Sequence, residues 1–214
     1  MEYAPFRIEV YYTIPDSRGT VLQKKLKYSG YSVDKAIRTD NYLINIQLSE
    51  DEIVKVAQSL IQPVTQNYTI NKAFAPEFFT YAIEIGYLPG VTDNVAHTTR
   101  EMIEDIIKKP LNPEKSVFTS CTFFIWGTID NHSIEDISKE LYNPLIQRAT
   151  ILSYNDYVLQ NGMGNAIPVV TLHEDTKAEI VSLDISNEEL VALGKEGIKN
   201  PDGTRRGPLA LDML

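Results

Sequence analysis

Three histidines, one cysteine and several carboxylate clusters are the residues of this 214-residue chain whose types could do chemistry. A metal or catalytic centre needs His, Cys or carboxylate groups gathered in one place, most simply at helical spacing. His97, His132 and His173 lie far apart in different contexts. None is read with a second His, Cys or carboxylate at ligand spacing, so structural or solvent-facing roles are expected for all three. Cys121 sits in a hydrophobic stretch with no histidine near it, where a small buried apolar residue is expected rather than a reactive thiol. Asn161-Gly162-Met163-Gly164-Asn165 is turn-rich, but it lacks the third glycine of a dinucleotide fingerprint, and no Walker lysine loop occurs in the chain. No serine stands in a nucleophile elbow. Carboxylates gather at Glu50-Asp51-Glu52 and from Asp184 to Glu189, both at expected helix starts, where orphan N–H groups and the helix dipole account for them. The chain is therefore read with no catalytic residue and no metal ligand. Arg205-Arg206-Gly207-Pro208 is an exposed-looking basic patch with rigid neighbours, and it reads equally as a flexible connector or as a contact for an anionic ligand or a neighbouring domain.

The totals narrow the partners. Net charge is −9, and the pairs Lys24-Lys25, Lys108-Lys109 and Arg205-Arg206 are too short to make a polyanion surface, so no nucleic acid is expected. The apolar fraction of 43% is enough for a core. No apolar run reaches the roughly 18–20 residues that span a bilayer, so no membrane is expected. The start, Met1-Glu2-Tyr3-Ala4-Pro5, lacks the basic and apolar regions of a signal peptide, and a single cysteine excludes an internal disulfide. A cytoplasmic location is expected.

The elements that must position these residues come twice. Leu60-Ile61-Gln62-Pro63-Val64-Thr65-Gln66-Asn67-Tyr68-Thr69-Ile70 recurs 81 positions later as Leu141-Tyr142-Asn143-Pro144-Leu145-Ile146-Gln147-Arg148-Ala149-Thr150-Ile151. Ile8-Glu9-Val10-Tyr11-Tyr12 likewise matches Ile83-Glu84-Ile85-Gly86-Tyr87, each followed by a proline (Pro15, Pro89) and an aspartate (Asp16, Asp93). In the first half the alternation of Ile8, Val10, Tyr12 and Ile14 predicts a half-buried strand. Val21, Leu22 and Leu26 mark one face of a helix ending near Gly30. Two strands, Val33 to Thr39 and Tyr42 to Leu48, are expected to meet at a tight turn over Asp40-Asn41. Ser49 to Glu52 is a capping box opening a helix along Ile53, Val56, Ala57, Leu60 and Ile61. Pro63 ends it, and Tyr68 to Ile70 form a short strand. The second half repeats the string: Tyr81 to Tyr87; a helix along Val95, Thr99, Met102, Ile103 and Ile106; paired strands Val117 to Thr119 and Phe123 to Trp126; a helix along Ile134, Ile137 and Leu141 capped by Ser133 and Asp136; and Ala149 to Leu152.

The fold class expected is α+β: two tandem ferredoxin-like (βαββαβ) repeats, residues 1–75 and 76–155, packed as a pseudo-dimer that hides sheet edges, followed by a linker region over 156–214. In that region Val169 to Leu172 form a candidate strand and Ser186-Asn187-Glu188-Glu189 a capping box for a helix ended by Gly194 and Gly197. Leu209 to Leu214 begin an apolar element and stop, as in a piece of a longer polypeptide.

Several motifs resemble one family. Tyr87-Leu88-Pro89-Gly90-Val91-Thr92-Asp93-Asn94-Val95-Ala96 resembles the PGVxDxxA segment of phosphoribosylformylglycinamidine synthase and the GVLDPxG segment of its small structural subunit, PurS. Ile14-Pro15-Asp16-Ser17-Arg18-Gly19 looks like a shortened version with the Gly-Val pair missing. Leu141 to Gln147 is similar to the NPxIQ close of the amino-terminal domain in fused large synthases, and Arg206-Gly207-Pro208-Leu209-Ala210-Leu211 to the linker before the catalytic core. The resemblance covers nearly the whole chain. It implies the PurS-like front end of an enzyme that converts formylglycinamide ribonucleotide to its amidine with ATP, Mg²⁺ and glutamine-derived ammonia. The segment itself would hold no cofactor and no catalytic residue. It would scaffold the contact between synthetase core and glutaminase, with Asp93, Asn94, Gln147, Arg205 and Arg206 as candidate interface residues. A second copy of the chain is a further candidate partner when the rest of the enzyme is missing. The competing reading is a tandem ferredoxin-like module that senses a small ligand held between its repeats.

Overall fold

The structure is a computed structural model that describes residues 4–111, 116–168, 182–200, 203–205 and 207. The chain forms two compact units, Met1–Val170 and Thr171–Leu214. The first is an α+β unit built on one six-stranded antiparallel sheet. Its elements are β1 (Phe6–Tyr12), α1 (Ser17–Tyr28), β2 (Val33–Asn45), α2 (Glu50–Ser59), β3 (Gln66–Ile70), β4 (Tyr81–Tyr87), α3 (Asn94–Ile107), β5 (Ser116–Gly127), α4 (Asn131–Lys139), β6 (Gln147–Ser153) and α5 (Tyr154–Leu159). The strand order is β3-β1-β2-β5-β4-β6. Exchanging β1, β2 and β3 for β4, β5 and β6 returns the same order reversed, so the sheet has a pseudo-twofold between β2 and β5.

Each half is β-α-β-α-β, with one long strand where two joined by a turn were expected. Asp40 and Asn41 lie in the middle of β2, which pairs with β5 from Val33↔Gly127 to Asn45↔Ser116. Short polar side chains favour turns when they bond their own backbone, but here they find side-chain partners on α1, on β2 itself and on β5. Asp40 takes Arg18 Nη1 at 2.6 Å and Arg38 Nη2 at 2.8 Å. Asn41 donates to Thr122 Oγ1 at 2.8 Å and accepts from Thr39 Oγ1 at 2.9 Å. The paired strands expected at Val117 to Thr119 and Phe123 to Trp126 are likewise one strand, β5, paired along β2.

Helix ends follow local chemistry. Asp16 and Asp93 occupy the same place in the two halves and N-cap α1 and α3, accepting from Arg18 N and Ala96 N. Ser49 and Glu52 form a full capping box on α2. For α4 the cap is Asp130, which accepts from Ser133 N, instead of Ser133 with Asp136. The helix starts three residues earlier because the Asp130 carboxylate reaches the N3 amide in N-cap geometry. Three residues after each aspartate cap stands a small residue, Gly19 or Ala96. At Gly19 a Cβ would lie 2.2 Å from the Ala36 carbonyl oxygen, so α1 approaches the sheet as closely as only glycine permits.

The four main helices cover one sheet face as two pairs, each drawn from both halves. Ile53, Val56 and Ala57 of α2 and Ala96 and Ile103 of α3 pack together over Ile8, Val10 and Ile44. Leu22 and Leu26 of α1 join Ile134 and Ile137 of α4 over Ile83, Ile85 and Ile125. Val21 and Val95, expected on the apolar stripes, are instead 66% and 54% exposed. The other face carries an aromatic cluster of Phe79, Phe124 and Tyr157, flanked by Phe74 and Trp126. Tyr157 of α5 is buried, and its hydroxyl donates to the Phe74 carbonyl at 2.7 Å.

In the second unit α6 (Asn187–Glu196) opens on the capping box of Ser186 and Glu189 and is closed by Gly197, with Gly194 inside the helix. The expected strand at Val169 to Leu172, His173 and the apolar end at Leu209 to Leu214 lie outside the described residues. No described helix is long and apolar enough to cross a membrane.

Candidate functional site

Strand alternation sends Ile8, Val10, Ile83 and Ile85 into the helix-covered core, so their neighbours must project from the opposite face. There the register lines up two adjacent rows across all six strands. One runs Thr69, Glu9, Asn41, Ser120, Gly86, Arg148; the other runs Asn67, Tyr11, Thr39, Thr122, Glu84, Thr150. The pseudo-twofold exchanges the rows: Glu9 answers to Glu84, Thr69 to Thr150, Tyr11 to Gly86 and Asn67 to Arg148.

One arginine serves both equivalent glutamates. Arg7, on β1, is 8% exposed; its Nε donates to Glu9 Oε1 at 2.6 Å and its Nη1 to the Gly164 carbonyl at 3.0 Å, while Nη2 lies 3.2 Å from Glu84 Oε1. The second Glu9 oxygen accepts from Phe74 N at 2.6 Å. Glu84 Oε1 also accepts from the Ser120 hydroxyl, and no described residue donates to its Oε2. Burial opposes the Arg7 charge, but the two carboxylates outweigh it and raise the guanidinium above its ordinary value. The triad carries one negative charge in excess, in a setting where charges interact more strongly than in water.

Beside the triad lies a cavity of about 100 Å³ over Gly86, walled by Leu43, Phe118 and the Leu88–Val91 loop, with Glu84 and Arg148 among its polar groups. Arg148 is exposed and pairs with no carboxylate among the described residues.

The residues singled out from sequence divide. Asp93 borders the cavity, but its carboxylate is spent on the fold: Oδ1 accepts from Ala96 N, and Oδ2 accepts from Thr119 N at 3.0 Å and Thr119 Oγ1 at 2.7 Å. Asn94 is the first residue of α3 and exposed. Gln147 lines a separate depression on the helix side, of about 290 Å³, with Arg38, Asp40 and Tyr42. Its Oε1 accepts from Asn143 N at 2.9 Å, and Gln66 makes the same bond to Gln62 N at 2.7 Å, so the PxxQ pattern builds one turn twice. Arg205, in the second unit, pairs with Glu196 at 3.0 Å and donates to the Gly197 carbonyl at 3.1 Å. Arg206 lies outside the described residues. Asp93 and Gln147 thus border different hollows of the first unit, and the five do not form one site there.

The histidine reading needs one correction. His97 has Glu101 and His132 has Asp136 one helical turn on, at 3.6 and 3.5 Å, both as exposed pairs. No described group of three or more His, Cys, Asp or Glu side chains comes together as a ligand set. Cys121 is partly buried, and that burial pushes its thiol up to about 11. Sequence reasoning missed Arg7, Glu84 and Arg148 because charges on alternating strands read as solvated. The available signal was the Glu9/Glu84 match, which places two acids at one structural position. Scanning known protein-family models gave no match to this chain, and neither did a search of curated proteins.

Proposed function

We propose that this chain is the amino-terminal scaffold of a phosphoribosylformylglycinamidine synthase, two tandem PurS-like, ferredoxin-like repeats followed by a linker region. It has no active site of its own in this reading. It supports the contact between a synthetase core and a glutaminase, so that ammonia released from glutamine reaches the ATP- and Mg²⁺-dependent step without loss to water.

The observation that carries this reading is that motif positions of the resemblance recur at equivalent helix caps and turns. Asp16 and Asp93 cap the first helix of each half, and Gln66 and Gln147 close the turn before each last strand. Those turns present Val64 and Leu145 to solvent, 81% and 83% exposed, at matching corners of the sheet. Aliphatic side chains held out on rigid turns are suited to contacts with larger neighbours. The long strands β2 and β5 stand where the four-stranded repeat has two strands each, as a covalent pseudo-dimer would have after its central pairing became continuous.

The test is immunopurification of the native polypeptide with its partners. A species several times heavier than 24 kDa, or one that co-purifies with a synthetase and a glutaminase, with glutamine-dependent amidine formation, is expected. A native preparation bringing down neither protein and showing no such activity overturns the proposal.

A further inference from the structure

At one corner of the polar belt the halves differ in two ways that bear on ligand binding: one removes an aromatic side chain and the other places a cation beside the gap. In the first half Tyr11 stacks on Phe74 with ring centroids 4.2 Å apart and fills the surface beside Glu9. Its counterpart Gly86 leaves the surface beside Glu84 bare. Nothing in the fold requires glycine there: a Cβ at Gly86 would meet Ser120 Cβ at 3.4 Å and nothing closer, an ordinary contact, on a backbone that any residue adopts. A glycine inside a strand weakens it, and its recurrent use is close approach by a ligand or another chain. At the same corner Asn67 is answered by Arg148, whose Nη2 reaches within 3.9 Å of that Cβ position and which pairs with no carboxylate among the described residues. The cavity is thus lined by Glu84, whose Oε2 receives no bond from a described residue, by Arg148, which pairs with no described carboxylate, by Arg7, and by the apolar groups of Leu43, Phe118 and Val91.

We propose that the cavity over Gly86 is a binding site for a free α-amino acid, its ammonium held by Glu84 and its carboxylate by Arg148. The excess negative charge of the Arg7, Glu9 and Glu84 triad selects a cationic head, and Arg148 rejects a simple amine by requiring an anion beside it. Leu43, Phe118 and Val91 take a short side chain, and a volume of about 100 Å³ admits a molecule of that size rather than a nucleotide. The site stands apart from the scaffold reading: neither its geometry nor its test depends on synthase activity.

The test is a thermal-denaturation screen of the whole chain against the twenty L-α-amino acids, followed by calorimetry with the best ligand. A rise in Tm of about 3–6 °C is expected at tenfold excess over Kd. Arg148→Ala, at an exposed position, weakens binding at least tenfold, and Gly86→Ala or Gly86→Val, which put side-chain atoms beside Ser120 and Arg148, weaken it at least tenfold while leaving the unliganded Tm within a few degrees. The amine and the carboxylic acid that each retain one end of the ligand bind at least tenfold more weakly than the amino acid. Absence of any Tm rise or heat overturns the proposal. So does binding that survives both Arg148→Ala and Gly86→Ala, or a carboxylic acid that binds as well as the amino acid.

Discussion

Replacing Arg7 by methionine tests the polar belt most directly. The substitution keeps a flexible apolar stem of similar length but removes three contacts: Nε to Glu9 at 2.6 Å, Nη1 to the Gly164 carbonyl at 3.0 Å and Nη2 to Glu84 at 3.2 Å. An exposed ion pair contributes about 0–1 kcal/mol. Here Arg7 and Glu9 are buried and the Glu84 side chain is only 12% exposed, and two like-charged carboxylates would face each other with no cation between them. Removing one member of a buried pair typically costs about 3–5 kcal/mol, because the remaining charge is left uncompensated. Arg7→Met should therefore lose about 3–5 kcal/mol in urea denaturation at pH 7, read as a lower midpoint at unchanged slope. Since its guanidinium is raised above an already high ordinary value, the contribution of Arg7 is fully present at every pH below the unfolded value and disappears only above it. The triple variant Arg7→Met, Glu9→Gln, Glu84→Gln removes all three charges while keeping acceptors for Phe74 N and Ser120, and it should recover more than half of the loss. A single-variant loss under about 1 kcal/mol, or a triple variant no more stable than the single, would refute the reasoning.

Three more outcomes follow from the same contacts. Asp93→Ala removes the α3 cap and both bonds to Thr119, and should cost about 2 kcal/mol by chemical denaturation. The folded Cys121 thiol is raised from 9.0 to about 11, so its stabilisation is fully present below pH 9 and fades as pH rises towards 11. The loss is at most about 2–3 kcal/mol, and Cys121→Ser should flatten that limb of the stability–pH curve. A polypeptide of residues 4–75 should show no cooperative unfolding by circular dichroism, because α1 finds its packing partner α4 only in the second half.

What could be read from residues alone was whatever rests on local chemistry. The stripe of Ile53, Val56 and Ala57 behind the Ser49–Glu52 box, and the Ser186–Glu189 box, became helices where local spacing put them. Alternation around Ile8 and Val10 gave β1. The errors arose where a partner distant in sequence decided the outcome. Asp40-Asn41 reads as a turn until Arg18, Arg38 and Thr122 are brought to it. Gly86 reads as one ordinary residue of a strand, and its meaning appears only beside Tyr11, 75 positions earlier, and Arg148, on the neighbouring strand. Single elements were legible, and pairing that joins the two halves, β2 along β5, was not.

The sharing of both cores between halves also governs how the protein can be made. Synthesis is vectorial, and β2 is complete at Asn45, whereas its partner β5 is not finished until Gly127. At ribosomal speeds of about 5–20 residues per second, β2 keeps an unpaired edge and Leu22 and Leu26 keep an uncovered face for roughly 4–16 s. Contacts of such long sequence separation also fold slowly once the chain is released. A nascent first half therefore resembles a sticky monomer awaiting its mate, and two ribosomes on one message would offer it the wrong one. Exchange of halves between neighbouring chains is the misassembly this architecture invites, and chaperone protection during those seconds is the safeguard it calls for.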